Sequence, residues 1–394
     1  MRSNLVSFSS GLPGPYFRFS RFPVYGFRIS GLPGYGFQMG FRAACLLVLT
    51  ALLLISCKKE VPAVLTEDDL HAVELLRPAN FPAIVEQPDN QLTAEGIELG
   101  RKLFYDVRLS GNNRISCASC HHQDLAFSDG LALSSQGFSG KQLSRHAPVL
   151  FNLAWADQGL FWDGGAKNLE SQAFGPLTSE EEMHQDLYEL EAELKAIPDY
   201  VKQFKQVFKS EIRSADVVKA LAQFQRTLIS GNSAYDQYIR QEKSAVLNEE
   251  ERLGMNLVAE KCGNCHSGAL FTDQSFHNNG LDDHFPDDKE GIYQGHFRVS
   301  FNPSDLGKFK TPSLRNILLS APYMHDGRFK TLEEVLDHYQ YDIKISLTTD
   351  VSLFQNQGKP GIPMSKAERK AIITFLNTLT DQEFITNTKF SAIK

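Results

Sequence analysis

Alternating apolar and polar positions, the mark of a half-buried strand, are scarce along this 394-residue chain, and the periodicity that recurs is helical. Residues 215–230 (ADVVKALAQFQRTLIS) set apolar side chains at helical spacing and stop before Gly231. Leu332, Val335, Leu336 and Tyr339 share one apolar helix face. Helix starts, each a capping residue followed three positions later by Glu, are predicted at Ser179/Glu182, Asn248/Glu251, Thr331/Glu334 and Ser365/Glu368. These patterns predict a mainly α fold.

One apolar stretch has no helical face. Residues 43–56 (AACLLVLTALLLIS) carry no charge and precede Cys57. The run is short for a bilayer span, which takes about 20 residues. Leu54-Ile55-Ser56-Cys57 resembles the bacterial lipobox, so 39–57 reads as a lipoprotein signal peptide with Cys57 as the lipidated residue. The alternative is an uncleaved anchor helix. Residues 1–38 are rich in Gly, Phe and Pro and contain the near-repeat SGLPGPY and SGLPGYG. They read as a non-native or disordered leader.

Composition is that of a globular protein, 42% hydrophobic and 22% charged. Residues 1–56 hold five Arg and no acid, so their removal takes the net charge from −7 to −12. That balance gives no reason to expect nucleic-acid binding; it suits a basic electron-donor protein, or simply keeps the protein soluble.

The six cysteines carry the sharpest chemical signal. Cys45 falls within the signal peptide and Cys57 at its end. The other four form Cys117-Ala-Ser-Cys120-His121 and Cys262-Gly-Asn-Cys265-His266, two copies of C-x-x-C-H, the attachment signature of a c-type haem. Thiols three positions apart reach the two vinyl groups of one porphyrin, and the adjacent His lies beneath the iron. Zinc or a redox dithiol would use C-x-x-C alone, with no need for a His after each pair. Two covalent haems c are expected.

The segments downstream of the two motifs are similar: His121-His122-Gln-Asp-Leu125-Ala-Phe127-Ser-Asp129, and His266-Ser-Gly-Ala-Leu270-Phe271-Thr-Asp273. The proximal histidines lie 145 residues apart, one domain length. Two tandem cytochrome c-like haem domains are expected, 91–245 and 246–394, joined near 240–248, with 58–90 as a tether.

The strings PDNQLTAEGIELGRKLFYD, RISCASCH, LFWDGGAKNLESQAFGP, EKCGNCHSGALFTD, TPSLRN and APYMHDGRFKTLEEVLDHY lie between residues 85 and 382. Together they resemble the bacterial di-haem cytochrome c peroxidase family, including its MauG-like branch. The resemblance implies that the first haem meets peroxide and the second relays electrons. It places Trp162 between them. Family residues at 10, 14 and 20 positions past that Trp correspond to Gln172, Pro176 and Glu182. Glu182 would be the acid–base group, Gln172 would hydrogen-bond peroxide, and Pro176 would limit access to the iron. Glu182 has a competing role, because a capping box with Ser179 would turn it away from a haem.

Two departures bear on mechanism. Many family peroxidases block the first iron with a His about 16 residues after the proximal His; here Ser135-Gln136-Gly137-Phe138-Ser139 has none. The resemblance then implies an iron open at rest. The family's Met ligand to the second haem, 14 residues past the His of the HDG string, is replaced by Tyr339, as in the MauG-like branch; Met324 and Met364 are alternative ligands. The family also holds a calcium ion through an Asn, whose position is His146 here, while Ser320 and Pro322 fit its carbonyl positions. Imidazole suits a hard, oxygen-seeking cation poorly, which argues against calcium.

The expected function is a periplasmic, lipid-anchored peroxidase, a candidate homodimer, that reduces H2O2 with electrons from a small c-type cytochrome. The alternative is a MauG-like oxidase acting on a partner protein or organic substrate. A pure electron-transfer cytochrome is the third reading; it would need two six-coordinate irons and no acid–base group.

Overall fold

A computed structural model describes residues 70–85, 87–287 and 291–393. The leader 1–38, the signal peptide 39–57 and the start of the 58–90 tether lie outside the described residues. The chain divides into Met1–Val64 and Leu65–Lys394, and the described residues all belong to the second unit. No helix among the described residues is long and apolar enough to cross a membrane.

The unit is mainly helical. Helix α1 (Ala94–Phe104) starts where the Thr93 side chain accepts from the Gly96 amide. Its buried face reads Gly96, Leu99, Gly100, Leu103 and Phe104, a helical stripe. After α2 (Leu169–Thr178), α3 (Leu187–Lys195) and α4 (Pro198–Phe208), helix α5 (Ser214–Arg226) crosses α1. A Cβ at Gly100 would collide with the Ala220 carbonyl oxygen, so only glycine permits this approach.

The same crossing recurs. After α6 (Ala234–Ile239) come α7 (Glu249–Lys261), the short α8 (Phe297–Ser300), α9 (Leu332–Asp337) and α10 (Lys366–Asn377). Helix α7 packs on α10, with Gly254 against the Ala371 carbonyl as Gly100 is against Ala220. One turn beyond each alanine stands a fully buried Phe, Phe224 and Phe375. Burial of such a ring contributes about 2 kcal/mol. Each crossing anchors its own hydrophobic cluster, one around Leu103 and Phe224, the other around Leu257 and Phe375. The last helix, α11 (Gln382–Thr386), and the tail return to the first cluster. Phe384 is buried there, and the Tyr105 hydroxyl donates to the Phe390 carbonyl at 2.7 Å.

The expected capping boxes form at Asn248/Glu251, Thr331/Glu334 and Ser365/Glu368. The one at Ser179/Glu182 does not. Ser179 closes the C-terminus of α2, residues 180–183 form turns, and α3 is capped instead by Asp186, which accepts from the Tyr188 and Glu189 amides. Helix α5 ends at Arg226, short of Gly231. The Thr227 hydroxyl donates back to Phe224, and the chain leaves to bind Asn152, which takes the Ser230 amide at 2.9 Å. Strand content is slight: β1 (Phe276–His277) and β2 (Phe309–Lys310) pair antiparallel, Phe276 opposite Lys310.

Candidate active site

Each C-x-x-C-H string sits where a helix or tight turn gives way to a loop. Cys117–Ser119 form a single 3-10 turn, and Cys262 is the C-cap of α7. In both copies the chain then turns back so that a carbonyl meets the His ring. His121 Nδ1 lies 2.7 Å from the Phe127 oxygen, and His266 Nδ1 lies 3.3 Å from the Phe271 oxygen. A carbonyl only accepts, so the proton is on Nδ1 and Nε2 is left with its lone pair. These turns require left-handed backbone at Phe127 (φ 61°) and Phe271 (φ 51°). Burial lowers the pKa of both imidazoles, which keeps them neutral and suited to a metal. The cysteines are half-buried, and desolvation pushes the Cys117 thiol up to about 12 and those of Cys120 and Cys262 to about 11. All four cysteines are free of disulfides.

Beside the second motif lies a cavity of about 320 Å³. Cys262, Cys265, His266, Met324, Tyr339 and Met364 are among the residues that line it. Trp162 and Gln172 line the same cavity. Trp162 Nε1 donates to the His146 carbonyl at 2.9 Å, and its own carbonyl accepts from the Lys310 amide at 2.8 Å. Burial lowers the Lys310 amine to about 8; the amine donates to the Gln274 carbonyl at 2.7 Å. His277 bridges Asp273 (2.8 Å) and Asp350 (2.6 Å). Its pKa is raised to about 10, first by a hydrogen bond with Cys265 and then, against the opposing effect of burial, by the two carboxylates.

Glu182 belongs to the first motif's surroundings. Its carboxylate is close enough to Cys117 and Cys120 to raise both thiol pKa values. Burial, then the charge of Glu181, raises its own pKa. The turn that carries it is pinned on three sides. The Phe138 amide donates to the Glu182 carbonyl (2.6 Å), the Met183 amide to Pro176 (3.1 Å), and the Gly111 amide to Met183 (2.9 Å). A Cβ at Gly137 would strike the Glu181 carbonyl. The loop Ser135–Ser139, which lacks the blocking His, is therefore packed against the Glu182 turn. Gln172 and Pro176 lie one turn apart on α2, on the same face.

Trp162 and His325 occupy matching hairpins. Leu160 bridges Ala166, and Tyr323 bridges Phe329. Phe161 (φ 64°) and Met324 (φ 74°) take left-handed backbone just before them. His325 is buried, which lowers its pKa to about 4, and it stacks on Phe309 at 3.7 Å. The His146 backbone joins the two hairpins, giving its N–H to the His325 carbonyl and accepting from Trp162. The His146 ring is buried, with Nδ1 2.7 Å from the Leu131 carbonyl and Nε2 3.4 Å from the Ser128 hydroxyl. Its Nδ1 proton is thus committed to a backbone oxygen. Asn152 holds the Ser230 backbone at both ends of its amide. Sequence reasoning missed Asn279, whose amide reaches Met324 Sδ at 3.4 Å; an Asn before Gly reads only as a turn.

Two neutral, carbonyl-oriented imidazoles, each directly after a C-x-x-C pair of free thiols, define a c-type haem protein with two haem sites. Residues 94–244 match the family described as di-haem cytochrome c peroxidase. The chain is 39% identical over 326 residues to a methylamine utilization protein MauG of Methylorubrum extorquens, covering 80% of this chain and 86% of that protein. It is 33% identical over 302 residues to a cytochrome c551 peroxidase of Nitrosomonas europaea, covering 75% and 84%. A solved MauG-like protein associated with microbial copper homeostasis superposes with a TM-score of 0.74 at 34% identity, covering 81% of this chain and 99% of that one. The chain belongs to the di-haem cytochrome c peroxidase family; it is a peroxidase that carries two c-type haems.

Proposed function

We propose that the two haems sit in tandem domains, 91–245 and 246–394, and that peroxide is reduced in the first. Cys117, Cys120 and His121 would hold the first haem; Cys262, Cys265, His266 and Tyr339 the second. Lys310 supplies a cation at the cavity wall for the carboxylates a haem carries. When bound, the haems supply the iron at which the peroxide O–O bond is cleaved and the relay for two electrons.

The protein's own part is proton and electron management. Reducing H2O2 to two waters consumes two electrons and two protons. Glu182 takes a proton from the near oxygen and returns it to the leaving one; burial and the Glu181 charge raise its pKa, which favours holding that proton between the two steps. Gln172 orients the peroxide and Pro176 limits entry. Trp162, hydrogen-bonded between the His146 and Lys310 backbones, carries electrons across from the second site. The observation that carries this reading is the Glu182 carboxylate, half-buried beside the first motif and released from helix capping.

The donor is a small c-type cytochrome or similar protein in the periplasm, with Cys57 as the lipid anchor and a homodimer as the assembly. A second reading, oxidation of a partner protein or organic substrate as in the MauG-like branch, is favoured by Tyr339 at the second cavity and by the missing His in Ser135–Ser139. EPR of the ferric protein tests both against a pure electron carrier. A mixed high-spin and low-spin signal is expected, and two low-spin haems would exclude both. Turnover of H2O2 with reduced cytochrome c separates the first reading from the second.

A further inference from the structure

The cavity beside the second motif is lined, besides His266, by three side chains that could serve an iron: the Tyr339 phenol and the Met324 and Met364 thioethers. One residue touches the first two. The Asn279 amide nitrogen lies 3.4 Å from Met324 Sδ, and the same side chain is hydrogen-bonded to Tyr339. We propose that Asn279 is the positioning residue that selects Tyr339 over Met324 as the sixth ligand of the second haem, one amide hydrogen serving the phenol oxygen and the other occupying the sulfur. This inference rests on the reading that Tyr339 faces the second iron.

An amide hydrogen favours oxygen over sulfur. A thioether is a weak acceptor, whereas a phenolate accepts a charge-assisted bond roughly twice as strong as a neutral one. Tyr339 already shares a side-chain hydrogen bond with Asn279. The sulfur, by contrast, is held where it is. Met324 keeps left-handed backbone (φ 74°), fixed by the Tyr323 amide on the Phe329 carbonyl (2.7 Å) and the Gly327 amide on the Met324 carbonyl (3.3 Å).

Asn279 is itself rigid. Its carbonyl accepts from His338 Nε2 at 3.0 Å, next to Tyr339 in a π-helical turn spanning His338–Asp342. Such turns mark functional positions. On one side Asn278 binds Ser346 (3.0 Å) and Thr348 (2.9 Å) through its side chain. On the other, the Gly280 carbonyl takes the Lys344 amide at 2.8 Å. The segment 278–280 and the ligand-bearing turn are therefore joined above and below the amide.

The test compares holoprotein variants by ferric EPR, near-infrared absorption and haem content. Asn279→Asp keeps the shape but replaces donors by acceptors; Asn279→Leu removes them. Both are expected to retain two haems per chain and to shift the low-spin signal of the second haem. In Asn279→Leu a methionine-to-iron charge-transfer band should appear, and Asn279→Leu combined with Met324→Leu should remove it. Tyr339→Phe is the control. If it alters the low-spin signal while both Asn279 variants leave that signal at wild type, the selection role of Asn279 is overturned. If Tyr339→Phe leaves the signal unchanged, the reading of Tyr339 as ligand is what fails.

Discussion

Pro176 and Tyr339 occupy equivalent positions in the two halves of the protein. Each lies 14 residues past the residue at its hairpin tip, Trp162 or His325, and eight past the N-cap of the following helix, Asn168 or Thr331. One half thus places a phenol at a haem cavity where the other places a ring with no donor atom. On the proposed reading, this pairing leaves the first site open independently of the missing loop His. Substituting Pro176 by His should therefore convert the high-spin component of the ferric EPR spectrum to low-spin and reduce peroxide turnover to background. Retention of the high-spin signal would show that the symmetry does not extend to the iron.

Glu182→Gln should slow peroxide cleavage by about 10²–10⁴, measured by stopped-flow mixing with H2O2. Stability should move the other way. The folded-state pKa of Glu182 is raised, so protonation favours the fold; that contribution is full below the unfolded value and is lost as pH rises through the folded one. Where the half-buried carboxylate is ionised it opposes folding, and Gln removes that charge. The melting temperature should hold or rise while activity falls. In the wild type, cleavage should gain rate with pH along an acid limb whose midpoint lies above the ordinary Glu value.

The attachment strings were fully legible because covalent chemistry demands contiguous residues. Three of four capping boxes were legible for a similar reason, being local. Ser179 misled because the end of α2 already claims it and Asp186 offers the next helix a better start. The end of α5 was hidden because Asn152, more than 70 residues earlier, draws Ser230 out of the helical path. The return of Phe384 and Phe390 to the first cluster has no local signature either. Spacing from Trp162 singled out Gln172, Pro176 and Glu182 as candidates, and of these Gln172 lines the same cavity as Trp162. Nothing near Asn279 in the sequence distinguishes it from a turn residue.

Trp162→Phe should separate the two halves of the reaction. Phe keeps an aromatic ring at the position but is smaller than the indole and lacks the Nε1 donor to His146, whose loss alone costs about 1 kcal/mol in stability. Single-turnover cleavage of peroxide by the pre-reduced protein should stay near wild type, whereas steady-state turnover with reduced cytochrome c should drop, because electrons then cross a poorer bridge. Equal losses in both assays would assign Trp162 to the peroxide site instead.

The paired helix crossings make a prediction about folding. At Gly254 a methyl group would press on the Ala371 carbonyl and on the Phe375 Cβ, and neither can yield without separating α7 from α10. Overpacking of this kind costs about 1–3 kcal/mol. Because α7 runs directly into Cys262, the displacement reaches the second attachment site first. Gly254→Ala should therefore lower the melting temperature and the yield of the second haem, read as a pyridine haemochrome content falling from two toward one per chain. Gly100→Ala should lower the melting temperature comparably, since α1 meets α5 in the same way, but it should spare haem content more, because Phe104 ends α1 well before Cys117. Equal haem loss in both variants would mean that the crossings act on the protein as a whole and not on the motif nearest each.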